Sequence, residues 1–106
     1  MADHGCMRDV KVPTLTELRL LAVVGDAHSL SGAAKRLGIS QPAVSQRARE
    51  LEKKCGCTLF DRGVYTTCLT SNGERIANQA QRVLDEYERL LSLIVELANE
   101  GEAIRT

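Results

Sequence analysis

The clearest pattern along this chain is a run of apolar residues near its C-terminal end. Ile76, Ala80, Val83, Tyr87, Leu90, Ile94 and Leu97 follow one another at steps of 4, 3, 4, 3, 4 and 3. Such a seam puts all seven on one stripe of an α-helix and has the repeat of a coiled-coil contact. Leu84, Leu91 and Leu93 widen it. Thr70 stands where an N-cap is needed and Glu74 where a helix N-terminus favours negative charge, so the pattern predicts a helix over about 71–99. At 1.5 Å per residue that helix is about 43 Å long. Short neighbouring helices cannot cover such a length. The economical partner is a second copy of the same helix, in a homodimer.

The preceding region reads as shorter helices. Leu15, Leu18, Leu21 and Ala22 recur at helical spacing, with Thr14 or Thr16 as N-cap and Gly25-Asp26 as the stop, which predicts a helix over about 14–25. Ser31 as N-cap, two turns through Leu37 and Gly38 as C-cap predict a second. Ser40 caps a third over about 41–55, with Pro42 in its first turn, where a missing N–H is harmless, and Gly56 as its stop. Val44, Ala48, Leu51 and Cys55 give this third helix one apolar stripe. Leu59-Phe60-Asp61 and Cys68-Leu69 are short strand candidates with Gly63 in the loop between them, a hairpin pattern.

The second and third helices are joined in a way that carries function. A tight turn forces the two to approach, so the contact residue must be small (Ala34) and the turn residue tolerant of positive φ (Gly38), while Ile39 and Val44 anchor the second of the pair into the first. This is helix-turn-helix logic. The face opposite Val44, Ala48 and Leu51 carries Pro42, Ser45, Gln46, Arg49 and Lys53, with Gln41 beside it. Those groups suit base edges and phosphates.

Charge sharpens this picture. The 106 residues carry a formal net charge of zero, which taken alone argues against nucleic acid. The charge is segregated, however. Residues 31–75 hold eight Lys or Arg against four Asp or Glu, while residues 76–106 hold three against six. A basic middle is the electrostatic footprint of phosphate binding. Lys35 or Arg36 is expected to meet the backbone from the second helix, the alternative being a solvated surface.

The stretch Ser29-Leu30-Ser31-Gly32-Ala33-Ala34-Lys35-Arg36-Leu37-Gly38-Ile39-Ser40-Gln41-Pro42-Ala43-Val44-Ser45, with Leu18–Leu21 before it and Leu51-Glu52, Gly56, Leu59-Phe60, Arg62, Leu69-Thr70 and Gly73 after it, resembles the N-terminal domain of LysR-type transcriptional regulators. The resemblance covers roughly residues 15–98. It implies a mainly α fold: a winged helix-turn-helix of three helices plus a small two-stranded wing, followed by a long dimerising linker helix. It implies linker helices paired antiparallel and a dyad-symmetric, interrupted site on double-stranded DNA. Gln41, Pro42 and Ser45 match positions that approach bases and backbone. Ser31 and Ser40 match capping positions, with Ser31 also near a phosphate. Arg62 matches the wing arginine at the backbone or minor groove.

There are departures from the family pattern. Ser45 is followed by Gln46 and Arg47 where Arg-Gln is usual, which moves positive charge toward the helix flank. Tyr65 stands where the wing often has a second arginine, and Leu21 where helix 1 often has an aromatic. The family's effector-sensing domain has no counterpart in these 106 residues, so no small-molecule effector site is expected in this chain. The expected division is a flexible leader (1–13), the DNA-binding domain (14–70), the linker helix (71–100) and a tail (101–106). Two other readings stay open. One is an interaction module that heterodimerises with a full-length regulator through the linker helix. The other is a winged helix of the molybdate-responsive or MarR type.

Other chemistry finds little support. No apolar run is long enough for a membrane span and no signal-peptide pattern opens the chain, so a cytoplasmic location is expected. Cys55-x-Cys57 with Cys68 could ligate metal only with a fourth ligand, and Cys55 lies on an apolar stripe, so no metal or cofactor is expected. A Cys57–Cys68 redox pair at the base of the wing is the sharper alternative. No nucleophile elbow or Gly-rich phosphate loop is present and His4 and His28 have no evident carboxylate orienter, so no catalytic residues are expected and the chain is not an enzyme.

Overall fold

A computed structural model describes residues 11–63 and 66–101. The elements are α1 (Leu15–Ala27), α2 (Leu30–Leu37), α3 (Gln41–Cys55), β1 (Phe60–Arg62), β2 (Thr67–Leu69) and α4 (Ser71–Glu100). Residues 1–10 of the expected leader, Tyr65 and residues 102–106 of the expected tail lie outside the described residues. The architecture is the expected one: three short helices, a two-stranded wing and a long helix.

Caps set most boundaries. Thr14 begins α1 with a reciprocal box: its amide donates to Glu17 Oε1 at 2.9 Å, and the Glu17 amide donates to Thr14 Oγ1 at 3.2 Å. Two boundaries differ from the expectation. Gly25 and Asp26 do not end α1, which runs to Ala27 and closes at His28 in the left-handed region (φ 59). Gly25 serves packing instead, since a Cβ there would stand 2.7 Å from Leu69 Cδ1. Ser31 is not the cap of α2. That role belongs to Ser29, whose Oγ accepts from the Gly32 amide at 2.9 Å, and Ser31 lies exposed within the first turn.

The α2–α3 junction is built as the spacing demands. Ala34 is buried, and its carbonyl accepts from the amides of Gly38 (2.8 Å) and Ile39 (3.1 Å). Gly38 takes φ 71, a conformation cheap only for glycine. Leu20, Leu21, Val24, Ala33, Ala34, Val44, Ala48, Leu51, Leu59 and Phe60 form the core. It is aliphatic apart from Phe60, with Leu21 fully buried. Cys55, at the end of the α3 stripe, is half-buried against this core, and burial pushes its thiol pKa up, with Cys57 and Glu17 adding to the shift.

β1 and β2 pair antiparallel, with Phe60 opposite Leu69, Asp61 opposite Cys68 and Arg62 opposite Thr67. Thus Arg62 and Thr67, expected in the loop, extend the strands, while Leu59 precedes them. The wing is strapped at both ends: Thr67 N donates to His28 O at 3.0 Å, and Thr70 N to Leu59 O at 2.9 Å. Gly73 is buried where α4 begins, and a Cβ there would press on the Leu59 carbonyl oxygen and come within 3.2 Å of Leu69 Cβ. The first half of α4 packs on α1, burying Ala80 and Leu84. Its second half extends past the body with Leu90, Leu91, Leu93, Ile94, Val95 and Leu97 all exposed.

Candidate nucleic-acid interface

α3 presents the face expected of it. With Val44, Ala48 and Leu51 held in the core, Gln41, Pro42, Gln46, Arg49 and Lys53 are exposed and Ser45 is half-buried. Ser40 Oγ accepts from the Ala43 amide at 3.2 Å, so this hydroxyl caps α3. Ser45 Oγ accepts from Arg49 Nη1 at 2.9 Å, which holds the guanidinium along the helix surface. Arg47 leaves this face. It lines a small cavity with Thr16, Glu17, Leu20, Leu37 and Ile39, so the Gln46-Arg47 order does move charge to the flank.

A cleft of about 250 Å³ joins three elements at one end of this face. Ser29, Leu30 and Ser31 from the start of α2, Gln41 from the start of α3, and Arg62, Gly63, Thr66 and Thr67 from the wing line it. The structure thus brings Ser31, Gln41 and Arg62 together. Two helix N-termini and one guanidinium suit a phosphate. Thr66 and Ser29 were not singled out from sequence, because loop threonines and a second nearby serine carry no distinguishing spacing.

The two basic residues of α2 separate. Lys35 is exposed, while Arg36 Nη1 lies 2.5 Å from Asp26 Oδ2. Arg36 thus reaches the end of α1 through an exposed ion pair, and it lines a different cleft with Arg19, Asp85 and Glu88.

Glu52 was also not foreseen. Its Oε2 accepts from the amides of Leu59 (2.9 Å) and Phe60 (3.0 Å), and its Oε1 lies 3.9 Å from Arg62 Nη1. Arg62 sits over the Phe60 ring, 5.8 Å from its centroid. A second, half-buried pair closes the far side. Lys54 Nζ donates to both Glu17 oxygens at 2.9 and 2.7 Å. Burial raises the Glu17 pKa, but the Lys54 ammonium and the Thr14 backbone and hydroxyl outweigh it and hold it below the ordinary value.

The expected dimer seam divides in two. Ala80 is covered within the chain itself and Ile76 and Tyr87 are half-buried, whereas Val83, Leu90, Ile94 and Leu97 are 42–53% exposed. The cysteines at the wing are free thiols in different surroundings. Cys57 faces a cleft with Leu18, Ile76, Ala80 and Val83, and Cys68 is exposed on β2. Among the described residues, no three His, Cys, Asp or Glu side chains gather as a metal site, and no helix is long and apolar enough to cross a membrane.

The family model for the bacterial regulatory helix-turn-helix proteins of the lysR family matches residues 15–74. This chain belongs to the LysR family. Among curated LysR-family relatives, the uncharacterized HTH-type transcriptional regulator YkuM of Bacillus subtilis is 41% identical over 88 residues, covering 83% of this chain and 29% of that protein. The SDS degradation transcriptional activation protein of a Pseudomonas strain is 34% identical over 87 residues, covering 82% of this chain and 28% of its own length. The chain therefore spans less than a third of these relatives, which are transcriptional regulators rather than enzymes. Among solved structures, one described as a CbnR DBD–DNA complex superposes with TM-score 0.74 at 28% identity, over 81% of this chain and 99% of that one. A BenM DBD complex with catB site 1 DNA superposes with TM-score 0.77 at 27% identity, over 85% of this chain and 97% of that one. The fold is accordingly the LysR winged helix-turn-helix with its long following helix.

Proposed function

We propose that this LysR-family chain binds a dyad-symmetric site on double-stranded DNA as a homodimer and regulates transcription, a cytoplasmic role. Residues 14–70 form the part that grips DNA and residues 71–100 the part that dimerises. α3 enters the major groove with Gln41, Pro42, Ser45, Gln46 and Arg49 at bases and adjoining phosphates, and Lys53 at the backbone. Ser31, Lys35 and Arg62 meet flanking phosphates. Arg36 is the alternative to Lys35 at the backbone, since its exposed pair with Asp26 is weak enough for a phosphate to replace.

The observation that carries the reading is the convergence of the exposed polar face of α3 with the Ser31–Gln41–Arg62 cleft on one side of the molecule. A duplex lying on that side meets base-reading and phosphate-reading groups together. The DNA-bound CbnR and BenM domains, which share this fold, support the same use here. The uncovered half of α4 supports dimerisation, because a seam of exposed Leu and Ile is costly in water unless a second apolar surface meets it. Two such helices would carry two α3 helices onto successive major-groove turns, about 34 Å apart or a multiple of it.

The test is selection from random-sequence duplexes, with the mass of the protein measured in the same buffer. Enrichment of a two-fold symmetric site by a dimer, with affinity falling steeply as salt rises, supports the reading. A stable dimer that enriches nothing contradicts it and favours the exposed seam as a device for capturing the linker helix of a longer relative.

A further inference from the structure

We propose that Glu52 is a positioning residue that locks the wing and its Arg62 to the recognition helix, so that the two grip DNA as one rigid unit. The proposal rests on the reading that α3 and the wing contact DNA.

Glu52 stands on α3, three residues after Arg49, but on the inward side of the helix: its side chain is 17% exposed. One carboxylate oxygen takes both amides at the entry to the wing, Leu59 N and Phe60 N. These two residues are buried, and the carboxylate pairs amides that burial withdraws from water. The other oxygen faces Arg62 at 3.9 Å, and Phe60 holds the same guanidinium from its ring face. Beside the shared apolar core, this one side chain supplies the polar link from α3 to β1 and Arg62. The covalent path is long by comparison, running from Cys55 through Gly56, Cys57 and Thr58, where Gly56 adopts φ 75.

A carboxylate at this point does two things that an amide cannot do equally well. Hydrogen bonds to an ionised acceptor are about twice as strong as neutral ones. Its negative charge also draws Arg62 back over Phe60, whereas the NH2 group of a glutamine would face the guanidinium with a like dipole. Glu52→Gln should therefore leave the wing hydrogen-bonded but loosen its angle and free Arg62 from its fixed position.

The experiment compares wild type, Glu52→Gln, Arg62→Ala and the double variant, all as the full chain. Binding is measured on a selected duplex with full flanks and on the same duplex cut back to the bases under α3. Amide exchange of Leu59 and Phe60, with the melting temperature, reports whether the wing still forms. If charge-assisted bonding sets the wing angle, Glu52→Gln weakens binding to the full duplex about three- to tenfold and leaves the shortened duplex unaffected. Adding Arg62→Ala to it then brings little further loss, because both changes remove the same contact. Protection of Leu59 and Phe60 stays near the wild-type level.

Losses that multiply in the double variant would overturn the proposal, as would equal weakening on both duplexes or a gain in affinity on freeing Arg62. Should Glu52→Gln fail to fold, Glu52→Asp keeps the charge one methylene shorter and must show the same flank-specific, Arg62-dependent loss. If wild type binds no duplex, the reading beneath the proposal fails; if wild type binds and the losses multiply, the proposal alone fails.

Discussion

Gly73→Ala sets two effects against each other and the structure says which wins. Alanine in place of glycine inside a helix is worth up to about 1 kcal/mol. Here the new Cβ would press into the Leu59 carbonyl oxygen, 3.1 Å from the carbonyl carbon and 3.2 Å from Leu69 Cβ. The obstacle is backbone, not a movable side-chain tip. Relief requires the start of α4 and residue 59 to part by roughly 1 Å to restore ordinary contact distances. That separation stretches the bonds joining them, Thr70 N to Leu59 O at 2.9 Å and Thr70 Oγ1 to Thr58 O at 2.7 Å. Each such bond is worth about 1 kcal/mol net, and overpacking adds about 1–3 kcal/mol. The sum, less the helix gain, is a destabilisation of about 2–4 kcal/mol, or about 9–18 °C in Tm for a chain of this length. Urea and thermal unfolding followed by circular dichroism, at one protein concentration because any self-association would shift both, would measure it. An exposed control, Asn78→Ala, should be neutral or stabilising. If Gly73→Ala raised Tm as well, α4 would not approach Leu59 as described and the packing argument would fail.

Three further predictions concern caps, charge and the seam. Ser29→Ala should cost about 1 kcal/mol in urea unfolding while Ser31→Ala stays within about 0.5 kcal/mol and instead weakens DNA binding; the reverse order would return the cap to Ser31. Because Glu17 is held below its ordinary value of 4.5, its ion pair with Lys54 adds stability above that value and loses it as pH falls through the lowered one. Stability curves of wild type and Glu17→Gln should therefore differ by about 1 kcal/mol at neutral pH and converge in acid; a gap that widened in acid would refute the sign. Ile94→Asp should convert a dimer to a folded monomer by light scattering, with helical signal largely kept, since Ile94 is half exposed and stands outside the core cluster; an unchanged mass would remove the seam from the dimer interface.

Much of this molecule was legible because its signals are local or periodic. α3 and α4 announce themselves through Val44, Ala48 and Leu51 and through the heptad run, each with a capping hydroxyl in front. The Ala34–Gly38 turn was readable because only small or glycine residues satisfy its geometry. What failed depended on distant partners. Gly25 looks like a stop until Leu69, 44 positions on, is seen against it. Ser29 and Ser31 are equal as caps in sequence, and the backbone conformation alone chooses. Three-residue strands have no period to detect, so Arg62 and Thr67 were placed in the loop. Ile76 and Ala80 fit the seam as well as Leu90 does, yet α1 covers the first two and leaves the third bare. Glu52 stands in the family-like Leu51-Glu52 pair, but its role was not readable there, because its main partners are backbone amides, which leave no trace in residue types.

The most direct test of the central claim is a repeat of the duplex selection with Gln46→Ala and Arg49→Ala beside wild type. If α3 reads bases, each variant should lose preference at one or two positions, by about 1–3 kcal/mol each, at symmetry-related places in both half-sites, with the flanks unchanged. A selected site that stayed the same in both variants, at equal affinity, would mean that this face of α3 does not meet DNA.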